Sequence, residues 1–432
     1  MTGTLPHVSP LVLALGCASA PPEPTIDNVL IVSFDTLRRD RLGAYGSVDG
    51  LTPNLDAFAE QAVVYERAVA SANETLFSHA SIFTGRYASD LGPVDYTFTL
   101  PQEVPTLAEV FGLYGYRTGA FVAGGHMDPA FGLDRGFGTY ESVRDWGSLF
   151  HTVPPALEWL DGSGKPFFLV VHGYDAHHRY LKPGVELPSG LAGEIAARHS
   201  GTARIAGGRY HREARFEELF EGLRYTPVDG GELLSGGDLE ALEGVYDGAV
   251  RYADAWFGEL MAGLEARGRL DDTLIVVLSD HGEDLGEHGV FNHRPPLCEH
   301  VVDVPLMIRY PDRRAERIGL TTSLTEVAPI VYGAAEVPPP AGLESGGGVA
   351  FAESAFRESL IVHGDKRLSW SGLSPSNPLI GLLMPSATEG WVGDPSLREG
   401  LVSWRLARTP PGGGEPDEER RKLLQEGGYW AP

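Results

Sequence analysis

Three near-continuous apolar runs divide this chain: Asn28 to Phe34 (NVLIVSF), the start of Pro166 to Tyr180 (PFFLVVHGYDAHHRY), and Leu274 to Leu278 (LIVVL). Short runs without polar alternation read as strands covered on both faces, and helices provide that cover in open α/β sheets. Asp238 to Arg267 has the spacing of a long amphipathic helix that leads into the third run. Farther on, Ser359 to His363 and Lys366 to Trp370 read as short strands, and Asp417 to Leu424 as a short helix. The Pro and Gly cluster Val337 to Gly348 (VPPPAGLESGGG) marks a join between a large and a small unit. Gly184 to Gly237, rich in Gly and in charges of both signs, reads as an insertion of the kind that sets selectivity. No internal repeat is present.

The ends of the apolar runs carry the chemistry. Leu278 is followed by Ser279-Asp280-His281-Gly282-Glu283, and Phe34 by Asp35. Ligands of open α/β sheets sit at the carboxyl ends of strands, so Asp35 and Asp280 are expected in one crevice. A carboxylate beside an imidazole suits a divalent ion of the Zn or Mn type. Plainer readings exist: a turn with a capping Asp and a solvated His at 280–281, and Asp35 as N-cap of a helix opening at Thr36-Leu37-Arg38-Arg39. In Ser71 to Gly85 (SANETLFSHASIFTG), Thr75 falls at a helix start, where unpaired backbone N–H groups can hold a tetrahedral anion. Its hydroxyl is a nucleophile only once a metal or base lowers its pKa, and spacing alone favours a plain cap.

Together these segments resemble the sulfatase family of the alkaline phosphatase superfamily. DTLRRDRLGAYG followed by Thr52-Pro53-Asn54-Leu55-Asp56 is similar to that family's first signature, and SDHGEDLGEHG to its second metal segment. Val304 to Ile308 looks like the strand that follows, and LLQEGGYW near the carboxyl end is similar to the way many members finish. The resemblance is clear over residues 26 to 335. It implies an α/β fold: an alkaline-phosphatase-like mixed central sheet with helices on both faces, plus a small C-terminal antiparallel-sheet subdomain. The domains expected are 26–336 for catalysis and 349–432 for the small unit. The resemblance also implies a metal-dependent ester hydrolase whose ion, Zn, Mn or Ca, is held by Asp35, Thr75, Asp280 and His281.

Departures from the family pattern bear on mechanism. Established sulfatases convert a Cys or Ser in C/S-x-P-S-R to formylglycine. Counting back from Phe83-Thr84-Gly85 puts Thr75 at the nucleophile, Phe77 at the Pro, Ser78 at the Ser and His79 at the Arg. Thr cannot yield the aldehyde, and Cys17 and Cys298 lie elsewhere. A Thr ester has no aldehyde exit and must be cleaved by water or passed to an acceptor, which inclines the reading to phosphoryl over sulfuryl transfer. The family's Lys and His after a Gly-Tyr-x-Thr pattern are missing after Gly115-Tyr116-Arg117-Thr118, where His126 is the one polar substitute. His177 in Asp175-Ala176-His177-His178-Arg179-Tyr180 matches the family's D-P-H-x-P-Y histidine. His178 or Asp175 would be ligands for a second metal, although the Asp-x-x-x-His spacing of two-zinc relatives is not met. His293 falls at an active-site Lys position, and with a pKa near 6.5 it suits a general acid near neutral pH. The catalytic set expected is Thr75, His79, His177 and His293. Two other readings stay open: a phosphoalcohol (phosphoethanolamine-like) transferase, and a catalytically silent metal-binding protein.

Composition narrows the partners. With 34 basic and 59 acidic residues the net charge is −25, which disfavours nucleic acid and anionic membranes but not an anionic ester at a metal. Two cysteines exclude a disulfide framework. Residues 1–25 resemble a bacterial lipoprotein signal and tether: an apolar stretch, Val8 to Gly16, too short to span a membrane, runs up to Cys17. That implies a lipid anchor at Cys17 and a periplasmic or envelope location, with a small-molecule or envelope sulfate or phosphate ester as substrate.

Overall fold

The computed structural model describes residues 26–95, 97–143, 147–162, 166–178, 180, 205–206, 209–210, 236–288, 291–293, 296–343, 347–355, 358–371 and 390–407. Cys17 with its tether, the helix expected at 417–424, and most of the 184–237 insertion lie outside the described residues.

Each apolar run forms a strand: β1 (Asn28–Phe34), β5 (Phe167–Gly173) and β6 (Thr273–Ser279). Between β1 and β5 come α1 (Pro53–Ala59), β2 (Val63–Val69), α2 (Thr75–Thr84), α3 (Leu107–Leu113), β3 (Arg117–Ala123), β4 (Thr139–Val143) and α4 (Leu149–Leu160). After β5 follow α5 (Gly236–Ala266), β6, β7 (Asp303–Val304), β8 (Leu306–Arg309), β9 (Glu316–Ser323) and α6 (Val327–Ala334). The nine strands form one mixed sheet in which β1 lies between β5 and β6, parallel to both. β5 continues to β3 and β4, all parallel, whereas β6 pairs antiparallel with β8 and β8 with β2. β7 and β8 occupy the same side of β2: Asp303 faces Val69, and Ile308 faces Val63. Pro305 separates them, since it has no N–H to give the ladder and the register slips there by one residue.

Side chains alternate across a strand, so each central strand feeds two cores. Leu30, Val32 and Phe34 pack with Leu55, Val153 and Phe257, under α1, α4 and α5. Val29 and Ile31 pack with Leu76, Phe111 and Val331, under α2, α3 and α6. Each fully buried Leu, Ile or Phe contributes about 1.5–3 kcal/mol, so the strands are fixed by cover on both sides. The amphipathic stretch from Asp238 is α5, buried through Tyr246, Val250, Phe257, Leu260 and Leu264.

The small antiparallel sheet expected near the carboxyl end is present. It consists of β10 (Ala350–Glu353), β11 (Glu358–His363), β12 (Lys366–Ser371) and β13 (Gly390–Gly393), with α7 (Arg398–Leu406) against it. Ala350, Leu360 and Val362 share a cluster with Val69 and Val301, which seats this sheet on the main body. Among the described residues no helix is long and apolar enough to cross a membrane.

Candidate active site

In-register pairing sets the site. Phe34 stands opposite both Gly173 and Ser279, so β1, β5 and β6 end level and Asp35, Tyr174 and Asp280 leave the sheet together. Asp35 caps no α-helix. The chain bends through Thr36, at φ 54°, and the next element is a single helical turn at Arg39–Arg41. The bend is held by Ser279, whose Oγ accepts from Leu37 N (2.9 Å), and by Asp280 Oδ1, which accepts from Thr36 N (3.3 Å) and His281 N (2.8 Å).

Thr75 is the first residue of α2, preceded by Glu74 in extended conformation. Its hydroxyl donates to Asp35 Oδ2 at 3.0 Å, across 40 residues of sequence. α2 is seated on the β6 loop by Ser78, whose hydroxyl donates to Asp280 O at 2.7 Å. Ligand atoms of Asp35, Asp280 and His281 lie within 4.8 Å of one another, all in fully buried residues. Asp280 Oδ2 and His281 Nε2 are buried without a hydrogen-bond partner. A carbonyl can only accept, so His281 Nδ1 donates to Gly282 O (3.1 Å) and the lone pair stays on Nε2. Two carboxylates and one imidazole with spare lone pairs turned to a common point fit a divalent cation. Burial, and then the Asp35 charge, raises Asp280 well above the usual carboxylate range, and burial lowers His281. A cation placed there would reverse the first of these.

Gly282 is required by a close approach: a Cβ there would lie 2.0 Å from His300 O. Its N–H donates to Val301 O (2.7 Å), tying the metal segment to the helical turn Glu299–Val302.

The predicted histidines fall in two places. His177 and His293 meet beside His281, with Nε2 atoms 3.2 Å apart and the His281 and His293 rings 4.5 Å apart. His293 Nδ1 donates to Asn73 O (2.7 Å) and His177 Nδ1 to His178 O (3.3 Å). Both Nε2 atoms therefore carry lone pairs, and their contact is attractive only with one added proton between them. Burial, followed by the neighbouring His281 and His178, holds His293 well below the usual imidazole range. His79, one turn along α2 from Thr75, has both ring nitrogens engaged. Nδ1 donates to Thr75 O (2.9 Å), and Nε2 accepts from the Ser33 hydroxyl (2.9 Å). It braces the helix start that carries Thr75.

Of the residues weighed for a second metal, Asp175 Oδ2 accepts from Leu149 N (3.0 Å) at the start of α4, and His178 Nδ1 accepts from Asn292 Nδ2 (3.1 Å). Sequence reasoning passed over His172, inside β5. Its Nδ1 donates to Ser33 O (3.1 Å), and its Nε2, without a hydrogen-bond partner, lies 3.6 Å from Asp35 Oδ2. Burial pushes its pKa down to about 3, as it does that of His126, which also feels His281. His172 reads as part of an apolar run, and only strand pairing reveals its neighbour.

Comparison with known proteins bears on this geometry. The family model described as Sulfatase matches residues 27–337. An ulvan-active sulfatase of Formosa agariphila is 25% identical over 339 residues, which are 74% of this chain and 64% of that protein. A multifunctional alkaline phosphatase superfamily protein of Trinickia caryophylli is 26% identical over 342 residues, covering 61% of this chain and 64% of its own length. The chain thus spans a little under two thirds of these relatives. Among solved structures, a phosphonate monoester hydrolase of Agrobacterium radiobacter superposes with a TM-score of 0.66 at 20% identity, covering 89% of this chain and 96% of that one.

Proposed function

Because this chain belongs to the sulfatase family, we propose that it is a metal-dependent hydrolase of sulfate or phosphate esters that uses Thr75 as nucleophile and favours phosphoesters. The observation that carries this reading is the Thr75 hydroxyl, aimed at Asp35 Oδ2 at 3.0 Å beside the spare lone pairs of Asp280 and His281.

Asp35, Asp280 and His281 would hold a divalent cation, which when bound supplies the positive charge that lowers the Thr75 pKa and attracts the ester's anionic oxygens. Thr75 Oγ1 then attacks phosphorus or sulfur in line with the leaving oxygen, and its proton departs along the hydrogen bond to Asp35 Oδ2. His177 and His293 share one proton between their Nε2 atoms and give it to the leaving oxygen. An arriving anion raises the proton affinity of His293, which burial otherwise holds low. Water next attacks the Thr75 ester at phosphorus or sulfur, the histidine pair takes its proton, and Asp35 returns to the departing Thr75 oxygen the proton it received, which restores both residues. Most of the rate comes from positioning and charge neutralisation. The preference for phosphorus rests on Thr lacking the aldehyde exit of formylglycine. It is supported by the phosphonate monoester hydrolase among the structural neighbours.

The test is turnover by the full chain, loaded with defined metals, on aryl phosphate monoesters, diesters and aryl sulfates, beside Thr75→Ala and Thr75→Ser. Thr75→Ala is expected to lose more than about a thousandfold in kcat and Thr75→Ser to keep part of it. Activity untouched by Thr75→Ala would remove the nucleophile, and turnover of sulfates alone would remove the phosphoester preference. Absence of turnover with every metal would leave a binding protein.

A further inference from the structure

A second set of metal-ligand types lies outside the centre described above. Asp284, His288, Cys298 and His300 bring a carboxylate oxygen, two imidazole nitrogens and a sulfur within 4.8 Å of one another. They come from two pieces of chain: the turn after the metal segment supplies Asp284 and His288, and the helical turn Glu299–Val302 with its preceding residue supplies Cys298 and His300. Asp284 is fully buried and Cys298 nearly so. Two donors converge on one oxygen: Asp284 Oδ2 accepts from His288 Nδ1 at 2.5 Å and from the Cys298 thiol at 3.4 Å. The His288 and His300 ring centroids are 5.3 Å apart, and His300 Nδ1 is buried without a hydrogen-bond partner.

We propose that these four residues form a closed, structural zinc-type site, distinct from the Asp35–Asp280–His281 centre. Thiolate, imidazole and carboxylate are zinc's ligands, and four from the protein leave no open position for chemistry. Tetrahedral zinc places its ligand atoms about 3.3–3.8 Å apart. The Asp284–Cys298 separation already has that value, and the Asp284–His288 separation is shorter because a proton now sits between the two atoms. On binding, the sulfur–hydrogen bond of Cys298 breaks and a zinc–sulfur bond forms, with the proton released to solvent. The His288 proton moves from Nδ1 to Nε2, which faces Glu299 Oε2 at 3.9 Å. Asp284 carboxylate and Cys298 thiolate neutralise the dication, so the buried cluster has no net charge. Gly282 N already donates to Val301 O in the same helical turn, so the ion would lock the segment carrying His281 from its other side.

Cobalt(II) separates this site from the other, because only this one contains sulfur. Cobalt added to the metal-free full chain is expected to give a thiolate-to-cobalt absorption band that zinc bleaches. Cys17→Ser and Asp280→Asn should keep the band and Cys298→Ser should abolish it. His300→Ala should weaken cobalt binding at this site about tenfold or more. The proposal is overturned if the folded wild-type chain at saturating cobalt shows no such band, or if the band survives Cys298→Ser.

Discussion

At the scale of single residues, burial decides which side chains are costly and which are useful. Glu358 is buried in β11, where its carboxylate accepts from Leu297 N at 3.0 Å, and burial pushes its pKa from 4.5 up to about 7. A carboxyl with a raised folded pKa favours the fold fully below pH 4.5, and that contribution is lost as pH rises through 7. The difference is about 3 kcal/mol. Glu358→Gln keeps the acceptor without the charge. It is therefore expected to unfold at higher denaturant than the wild type at pH 8, by up to about 3 kcal/mol, and to match it at pH 4. Equal stability at both values would show that the charge is solvated. The site was more legible than this. Asp35, Asp280 and His281 stand where apolar runs stop, and Thr75 where a helix begins, so position along the chain marked them. His172 gave no such signal, because a lone His within PFFLVVHG follows the strand pattern around it.

At the scale of elements, the runs predicted β1, β5, β6, α5 and the two strands β11 and β12 nearly to the residue, because cover on both faces or a regular amphipathic stripe leaves a dense record in the chain. What the runs do not encode is partner choice. β2 lies between β9 and the broken strand β7–β8 through contacts more than 200 residues apart in sequence. Capping is similarly remote at α1. Thr52 gives no side-chain cap there, and Asp254 on α5 accepts instead from Leu55 N (2.8 Å) and Asn54 N (3.1 Å). Asp254→Ala strands the buried Leu55 donor and the part-buried Asn54 donor and is expected to cost about 2 kcal/mol, read from chemical denaturation. Asp254→Asn, which retains an acceptor, should recover most of that loss. Equal stability of Asp254→Ala and the wild type would mean that water replaces the cap.

For the whole molecule, the Asp35 and Asp280 carboxyls lie together without solvent at the level ends of β1 and β6, where burial and then the Asp35 charge raise the Asp280 pKa. Saturation with a divalent cation at about a hundred times its dissociation constant should stabilise the fold by about 2.7 kcal/mol. Chelation should lower the thermal transition accordingly, and an unchanged melting temperature would mean that no cation is held. A net charge of −25 gives the surrounding surface an excess of the same sign, so attraction for the proposed anionic ester would be generated locally. The level ends of β1, β5 and β6 also dictate where this chain tolerates changes of length. One residue gained or lost inside any of those three strands would turn the residue that follows it, Asp35, Tyr174 or Asp280, to the opposite face and shift it by about 3.3 Å. The same change in connecting segments away from the turns that carry Asp35, Thr75, His177, Asp280, His281 and His293 would leave the donors in place. The chain can lengthen where its turns lie far from the site, while those three strands, and the turns that leave them, must keep their length.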